Sequence, residues 1–150
     1  MGKNRALLII DLQEGFNPSA KLIKGILKRA QNYSMVVATQ FTNGNPLYQR
    51  VLQCPRFTKK ESALIPLPEK AKVFKKTGYG LPRALIRYLK NKKITRVDIG
   101  GLETDACVLA ALFDLWDAGI QPRLLRTLSS ARSKKLQKAA HLISKRNFGF

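Results

Sequence analysis

The segment 6–10 most constrains the fold, because all its residues are apolar and an acid, Asp11, follows directly. An unbroken apolar run of this length predicts a strand buried on both faces, as in a parallel sheet covered by helices. Strand and helix patterns then alternate along the chain. Strands are predicted at 5–10, 34–39, 71–74, 94–99 and 121–126, and helices at 19–32, 45–53, 81–92, 105–118 and 130–146. This alternation predicts an α/β fold of three layers, with a parallel sheet of five or six strands and helices on both faces.

Length and composition predict a single domain, 1–150, that can bury a substantial core. No segment has the roughly 18 apolar residues that a bilayer span requires, and the basic N-terminus leads into a core strand without a signal-peptide pattern. The two cysteines, Cys54 and Cys107, have separate contexts and predict no disulfide framework. We therefore expect a cytoplasmic protein with no membrane contact.

Helical spacing predicts which side of the later helices is buried. In the helix at 105–118 the apolar stripe includes Trp116, which is interpreted as a core residue. The last helix is expected to bury a side formed by Leu136, Ala139, Ala140 and Ile143. A last short edge strand is considered for 147–150.

The charge of this chain is strongly positive, with 28 Lys and Arg against 9 Asp and Glu and a formal net charge of +19. The basic residues are spread over several predicted helices, which favours solvated helix faces. Aromatic residues suited to base stacking do not alternate with the basic runs in the sequence. Contact with nucleic acid is therefore expected only as weak, nonspecific binding of a polyanion.

Three polar residues follow three separate predicted strands. Asp11 ends the first strand, Lys76 follows the strand at 71–74, and Cys107 follows Gly100-Gly101 at the start of a helix. Because open α/β sheets bind ligands at the carboxyl ends of their strands, these side chains are expected to meet at one edge. A helix N-terminus also favours the thiolate, the reactive form of cysteine. Taken alone, each is more simply a structural residue, and Lys75 is the alternative lysine because neighbouring strand residues face opposite ways.

Three motifs in this order resemble those of the isochorismatase-like cysteine hydrolases, a superfamily that includes nicotinamidases and N-carbamoylsarcosine amidohydrolase. They are Asp11-x-Gln13-x-x-Phe16, Lys76-Thr77-Gly78-Tyr79 and Gly101-x-Glu103-Thr104-Asp105-x-Cys107-Val108. The resemblance covers nearly the whole chain. It implies a Rossmann-like fold, self-association as a dimer or larger homo-oligomer, and cleavage of a C–N bond of a small-molecule substrate through a thioester intermediate.

The resemblance also implies a role for each site residue. Cys107 would be the nucleophile, Asp11 the general base, and Lys76 the cation that lowers the thiol pKa. The family shapes the turn before the nucleophile with a cis peptide, and backbone N–H groups there hold the oxyanion. The residues expected at this turn are Leu102, Glu103 and Ala106. Those expected to contact the substrate are Phe16, Gln40, Phe41 and Tyr79.

The chain departs from the family pattern at several positions. Gly80-Leu81-Pro82 stands where Ser-Ala-Phe is usual, and 126–130 lacks a common acid. The segment 39–43 contains no histidine, and the lone His141 lies far along the chain, so no histidine-rich metal site and no cofactor are expected. Nicotinamide itself is therefore a poor expectation as substrate. Two alternatives stay open, a catalytically silent member that serves as a binding or scaffold protein and a basic polyanion-binding protein.

The segment 42–68 is rich in proline and is the least regular part of the chain. Loops at this sheet edge often shape pockets. Phe41, Tyr48 and Phe57 either line such a pocket or cover the core, and covering the core is favoured. Cys54 has no acid or base motif beside it and is interpreted as an unreactive structural residue.

Overall fold

A parallel five-stranded sheet with the strand order β3-β2-β1-β4-β5 forms the centre of the protein. The computed structural model describes residues 4–150. The strands are β1 (Arg5–Ile10), β2 (Val36–Phe41), β3 (Ala71–Lys76), β4 (Arg96–Leu102) and β5 (Gln121–Ser130). The helices are α1 (Ala20–Ala30), α2 (Pro46–Arg50), α3 (Lys59–Ser62), α4 (Arg83–Asn91), α5 (Leu109–Asp117) and α6 (Lys134–Phe148). The predicted three-layer α/β fold is confirmed, with five strands.

Each face of the sheet has its own apolar core. Helix α1 packs on one face, where Leu22 and Ile26 meet the alternate residues Leu7 and Ile9 of β1. Helices α4 and α5 cover the other face. They pack against Leu8 and the other side chains of β1 and β4 that point to this face. The central strands are therefore buried on both sides, which explains why 6–10 is uniformly apolar. No helix in residues 4–150 is long and apolar enough to cross a membrane.

The strands run further toward the carboxyl edge than the sequence predicts. Strand β3 continues through Lys76, which pairs with Phe41 of β2, and β5 continues to Ser130 past an irregularity in its pairing with β4. The helix predicted at 105–118 begins as a π-helical turn, Thr104–Val108. Helix α3 is absent from the predictions, although Thr58 and Glu61 form a capping box at its start.

Two predictions about the later helices are wrong. Trp116 is 51% exposed and packs beside Phe148, because α5 turns Ala111, Leu112 and Leu115 toward the sheet and leaves Trp116 at the edge of that buried stripe. Helix α6 buries Ala140 as predicted, but of the other three residues assigned to its buried side Leu136 and Ile143 are exposed, as is Ala139. Ser144 is buried in their place, and its hydroxyl donates to the carbonyl of Ala140, which satisfies its polarity. The helix continues to Phe148, so no edge strand forms at 147–150.

Gly101 allows β1 and β4 to approach closely at the carboxyl edge. Its φ of +125° is one that L side chains rarely adopt, and a Cβ built there would lie 2.1 Å from the carbonyl oxygen of Ile10. The contact is with backbone, which no side-chain rotation relieves. It therefore fixes the distance between the residue after β1 and the turn after β4.

A buried carboxylate lies near the opposite ends of the strands. Asp98 in β4 is fully buried, and Arg5, Arg123 and the hydroxyl of Tyr33 donate hydrogen bonds to it. Arg29 forms a longer ion pair at 3.8 Å. Burial by itself raises the pKa of Asp98, but the hydrogen bonds outweigh it and hold this pKa below its ordinary value. The network joins β1, β4, β5 and the end of α1.

Candidate active site

Asp11 occupies a constrained position directly after β1. It is fully buried, and its φ of 46° lies in the left-handed region that few residues other than glycine adopt. Thr39 of β2 holds it at two points: its hydroxyl donates to Oδ1 at 2.6 Å and accepts from the backbone N–H at 3.2 Å. The other oxygen, Oδ2, receives no well-aligned hydrogen bond. One carboxylate oxygen is therefore fixed and the other is available.

Lys76 at the end of β3 turns toward Asp11, whereas its neighbour Lys75 is exposed. Its Nζ lies 3.0 Å from Oδ2 of Asp11, in an ion pair that is almost completely buried. The same ammonium donates to the carbonyls of Gly78 at 3.0 Å and Tyr79 at 2.9 Å. The two carbonyls occupy two of its three donors and, together with the ion pair, fix the charge in place.

Cys107 lies in the π-helical turn and is buried beside both charged side chains. Burial and the negative charge of Asp11 raise the pKa of its thiol to about 12, although Lys76 acts in the opposite direction. Lys76 therefore acts on the thiol pKa in the direction that the sequence analysis expected, but burial and Asp11 outweigh it, so the net pKa of the thiol is raised. The resting thiol is protonated, with a carboxylate and an ammonium next to it.

The turn before Cys107 contains the cis peptide bond Leu102–Glu103 that the sequence comparison implied. The carbonyl of Glu103 accepts hydrogen bonds from the N–H groups of Ala106 and Val108, both at 3.1 Å. The N–H of Ala106 is therefore already used by this carbonyl, and it can bind an oxyanion only as a shared donor. Leu102 is buried under the turn.

A cavity of about 320 Å³ opens onto Cys107. Among the residues with predicted roles, its lining includes Phe16, Phe41, Tyr79, Glu103, Ala106 and Cys107. Asp11 and Lys76 do not line it and reach it only through their contact with Cys107, and Leu102 and Gln40 do not line it either. The side-chain amide of Gln40 instead donates to the carbonyl of Ser62 at 2.9 Å, which anchors the loop after α3. The structure thus brings most of the predicted site residues together and leaves Gln40 outside.

Several further lining residues come from the segment 42–68 and from the end of β5. Tyr48 and Phe57 line the cavity, so the interpretation that they cover the core is wrong. Burial raises the pKa of Tyr48 to about 12, which keeps its hydroxyl protonated as a donor. Cys54 also lines the cavity, a position that no motif around it in the sequence indicates. Arg132 pairs with Glu103 at the rim; its place just beyond β5, at the carboxyl edge, is the signal that could have identified it.

Replacing Thr39 with valine tests how firmly Asp11 is held. The shape is kept, but Oδ1 and the N–H of Asp11 lose a buried partner, so we expect the free energy of unfolding to fall by about 2 kcal/mol. Thr127→Val is the matched control, because Thr127 is exposed on β5 and should cost less than about 0.5 kcal/mol. Urea unfolding measures both, and equal costs for the two variants would contradict the assignment.

These features define a class of protein: a parallel α/β fold whose carboxyl edge buries a carboxylate, a lysine and a thiol at the end of an aromatic cavity. The isochorismatase domain model matches residues 5–149. The chain therefore belongs to the isochorismatase family and is an isochorismatase-like hydrolase.

Solved structures show the same fold at low sequence identity. The nicotinamidase PncA from Bacillus subtilis matches with a TM-score of 0.84 at 18% identity, covering 97% of each chain. The pyrazinamidase of Pyrococcus horikoshii, in complex with zinc, matches at 0.83 and 21%, covering 97% of this chain and 96% of that one. An isochorismatase-like hydrolase from Alkaliphilus metalliredigens matches at 0.79 and 19%, covering 97% and 90%. A comparison with curated protein sequences finds no significant match.

The residues of this chain do not fit a metal site like the one that the zinc complex implies. Residues 4–150 contain no group of three or more His, Cys, Asp or Glu side chains placed to hold an ion. The lone His141 lies on α6, where its ring is 3.0 Å from the amide of Gln137. Cys54, Glu103 and Asp105 line the cavity, but among the described residues no three such side chains are grouped so that they could coordinate zinc.

Proposed function

We propose that this protein hydrolyses an amide-type C–N bond of a small molecule, with Cys107 as nucleophile, Asp11 as general base and Lys76 as the stabilising cation. The observation that carries the proposal is the buried 3.0 Å ion pair between Lys76 and Asp11, set beside the only buried thiol of residues 4–150. A buried ion pair gives little net stability, whereas it can control the charge of a neighbouring thiol.

The first half-reaction moves one proton and forms one bond. Oδ2 of Asp11 accepts the thiol proton as Sγ of Cys107 attacks the carbonyl carbon of the substrate. Backbone N–H groups of the turn 103–107 stabilise the oxyanion. When the tetrahedral intermediate collapses, the C–N bond breaks, the amine or ammonia takes the proton from Asp11, and a thioester remains on Cys107.

The second half-reaction hydrolyses the thioester. Asp11, now ionised again, takes a proton from water as the water oxygen attacks the thioester carbonyl. The carboxylic acid leaves, and the proton returns to Sγ. Lys76 pairs with Asp11 whenever Asp11 is ionised, and while Asp11 holds the proton the ammonium stabilises the negative charge that develops on Sγ.

The cavity favours a small, flat substrate. Aromatic rings of Phe16, Phe41, Tyr48, Phe57 and Tyr79 form its walls, with edge-on contacts between neighbouring rings at 5.2–5.9 Å. A volume of about 320 Å³ is at the lower end for small-molecule sites. Primary amides and N-carbamoyl compounds with compact, partly apolar groups are the substrates to screen first.

Trapping of the acyl-enzyme tests the proposed function. The protein is incubated with a panel of such amides, ammonia release is measured, and rapidly quenched samples are analysed by intact-protein and peptide mass spectrometry. We expect the acyl mass on the peptide that contains Cys107, and neither adduct nor ammonia with Cys107→Ala. Ammonia release that persists in Cys107→Ala, or an adduct found only on Cys54, would contradict the mechanism.

A further inference from the structure

A second feature of the surface lies away from the cavity, on the edge strand β3 and helix α4. We call it the β3–α4 face; its basic residues are Lys72, Arg83, Arg87, Lys90 and Lys92, and its aromatic residues are Phe74 and Tyr88. All five basic residues are exposed, and both rings are partly exposed. None of these residues lines the cavity beside Cys107.

We propose that the β3–α4 face binds single-stranded nucleic acid, through phosphate contacts to its basic residues and base stacking on its rings. The proposal goes beyond the hydrolase function and does not depend on it. It gives a role to five of the 28 basic residues of the chain.

No ion pair neutralises the positive charge of this face, although Asp114 of α5 lines the same groove as Arg83, Arg87 and Lys90. The acidic residues that form ion pairs within residues 4–150 are Asp11, Asp98 and Glu103, and none of them pairs with a residue of the face. On α4, Arg83, Arg87 and Lys90 follow the i, i+4, i+7 spacing and so form one stripe about 10 Å long. The stripe lies on the α5 side of α4, whereas Tyr88, one residue after Arg87, turns toward Phe74 of β3, so a single strand that crosses the helix can contact both.

The rings distinguish this face from the other basic surfaces. Phe74 and Tyr88 lie 5.6 Å apart, and the Nζ of Lys72 lies 4.5 Å above the ring of Tyr88, with that of Lys92 5.9 Å away. A nucleobase can replace the Lys72 ammonium on the ring, and the displaced ammonium can then contact a phosphate.

Phe113 and Trp116 are also exposed, beside Phe148 of α6, but no basic side chain lies over their rings among the described residues. The other rings in contact with cations are Tyr33, which is buried and donates to Asp98, and Phe41, which is buried at the cavity. The lysines of α1 and α6 have no such ring contact. A surface that combines positive charge with accessible rings favours single-stranded nucleic acid, whose bases are free to stack. It is less suited to a duplex or to a lipid surface.

Two charge-matched triple variants test the location of the site. Arg83→Glu, Arg87→Glu and Lys90→Glu alter the face, whereas Lys134→Glu, Lys138→Glu and Lys145→Glu alter α6 by the same net charge. Binding of a fluorescent oligothymidylate of about 20 nucleotides is followed by anisotropy across a salt series. We expect a slope of log K against log salt near −3.5 for the wild type, from about five phosphate contacts, and near −1.4 for the α4 triple. The α6 triple should keep most of the slope.

Replacement of Tyr88 with leucine tests the stacking. We expect the affinity for the oligothymidylate to fall about tenfold with the salt slope unchanged, because a stacked base is lost and no charge is removed. Circular dichroism and thermal unfolding confirm that each variant folds, and an α4 triple with glutamine at the same positions is used if the glutamate version does not. Cys107→Ala should bind as the wild type does, which separates this proposal from the hydrolase function.

Four results would overturn the proposal. They are absence of binding at about 150 mM salt, equal losses in the α4 and α6 triples, tighter binding of a duplex of the same length, and preference for phosphatidylserine vesicles over the oligonucleotide. Selective loss in the α4 triple together with the effect of Tyr88→Leu supports it.

Discussion

Asp11→Asn is expected to lower turnover by about 10²–10⁴-fold while it increases the reactivity of Cys107 toward iodoacetamide. The base that accepts the thiol proton is lost, which removes general base catalysis. The negative charge that raises the thiol pKa is lost as well, so at pH 8 a larger fraction of Cys107 becomes thiolate. Ammonia release measures the first effect, and peptide-resolved alkylation between pH 7 and 10 measures the second.

The opposite signs make this prediction specific. Lys76→Met should lower both turnover and labelling, because the charge that lowers the thiol pKa is removed. Labelling of Cys54 in the same samples serves as an internal reference for the opening of the cavity. If Asp11→Asn slowed labelling of Cys107, or left turnover intact, Asp11 would not be the base.

Asp98→Ala is expected to lower the free energy of unfolding by about 3 kcal/mol or more. The substitution removes a fully buried carboxylate and leaves Arg5, Arg123 and the hydroxyl of Tyr33 next to one another without an acceptor. Urea unfolding at pH 7 measures the loss. Glu69→Ala is a control that removes one acid from an exposed position and should change stability by less than about 0.5 kcal/mol.

The isosteric variant Asp98→Asn adds a dependence on pH. Because the folded-state pKa of Asp98 is lowered from its ordinary value of 3.8, its ionised form contributes stability above that value and loses the contribution as pH falls through the lower, folded-state pKa. The difference in unfolding free energy between wild type and Asp98→Asn should be constant above about pH 5 and shrink below about pH 4. If the difference in unfolding free energy does not change with pH, the charge of Asp98 does not contribute to the stability of the network.

The sequence predicted the parts of the structure that have local signals. The apolar run of β1 and the glycines near the end of β4 indicate where two strands end, and Asp11 and Cys107 follow those ends. The choice of Lys76 over Lys75 agrees with the side of β3 that the structure turns inward. Parallel packing then brings the three residues together without further information from the chain.

What the sequence could not predict depends on contacts between distant segments. Asp98 is an acid within a strand, and only the folded chain shows that Arg5 and Arg123 surround it. The raised pKa of Cys107 follows from burial, which its helix-start position does not reveal. Trp116 has the spacing of a core residue, yet it lies at the margin of the buried stripe, and packing beside Phe148 leaves it exposed.

The close approach of Gly101 to the carbonyl of Ile10 requires glycine at position 101, whereas other parts of the site can change in sequence. No side chain fits at position 101, so the spacing of acid and thiol is set by backbone alone. Much of the cavity wall comes instead from the irregular segment 42–68, which contributes Tyr48, Cys54 and Phe57 and pairs with no strand of the main sheet. A lineage of such proteins could therefore exchange one substrate for another by changing loop residues, with its chemistry inherited intact.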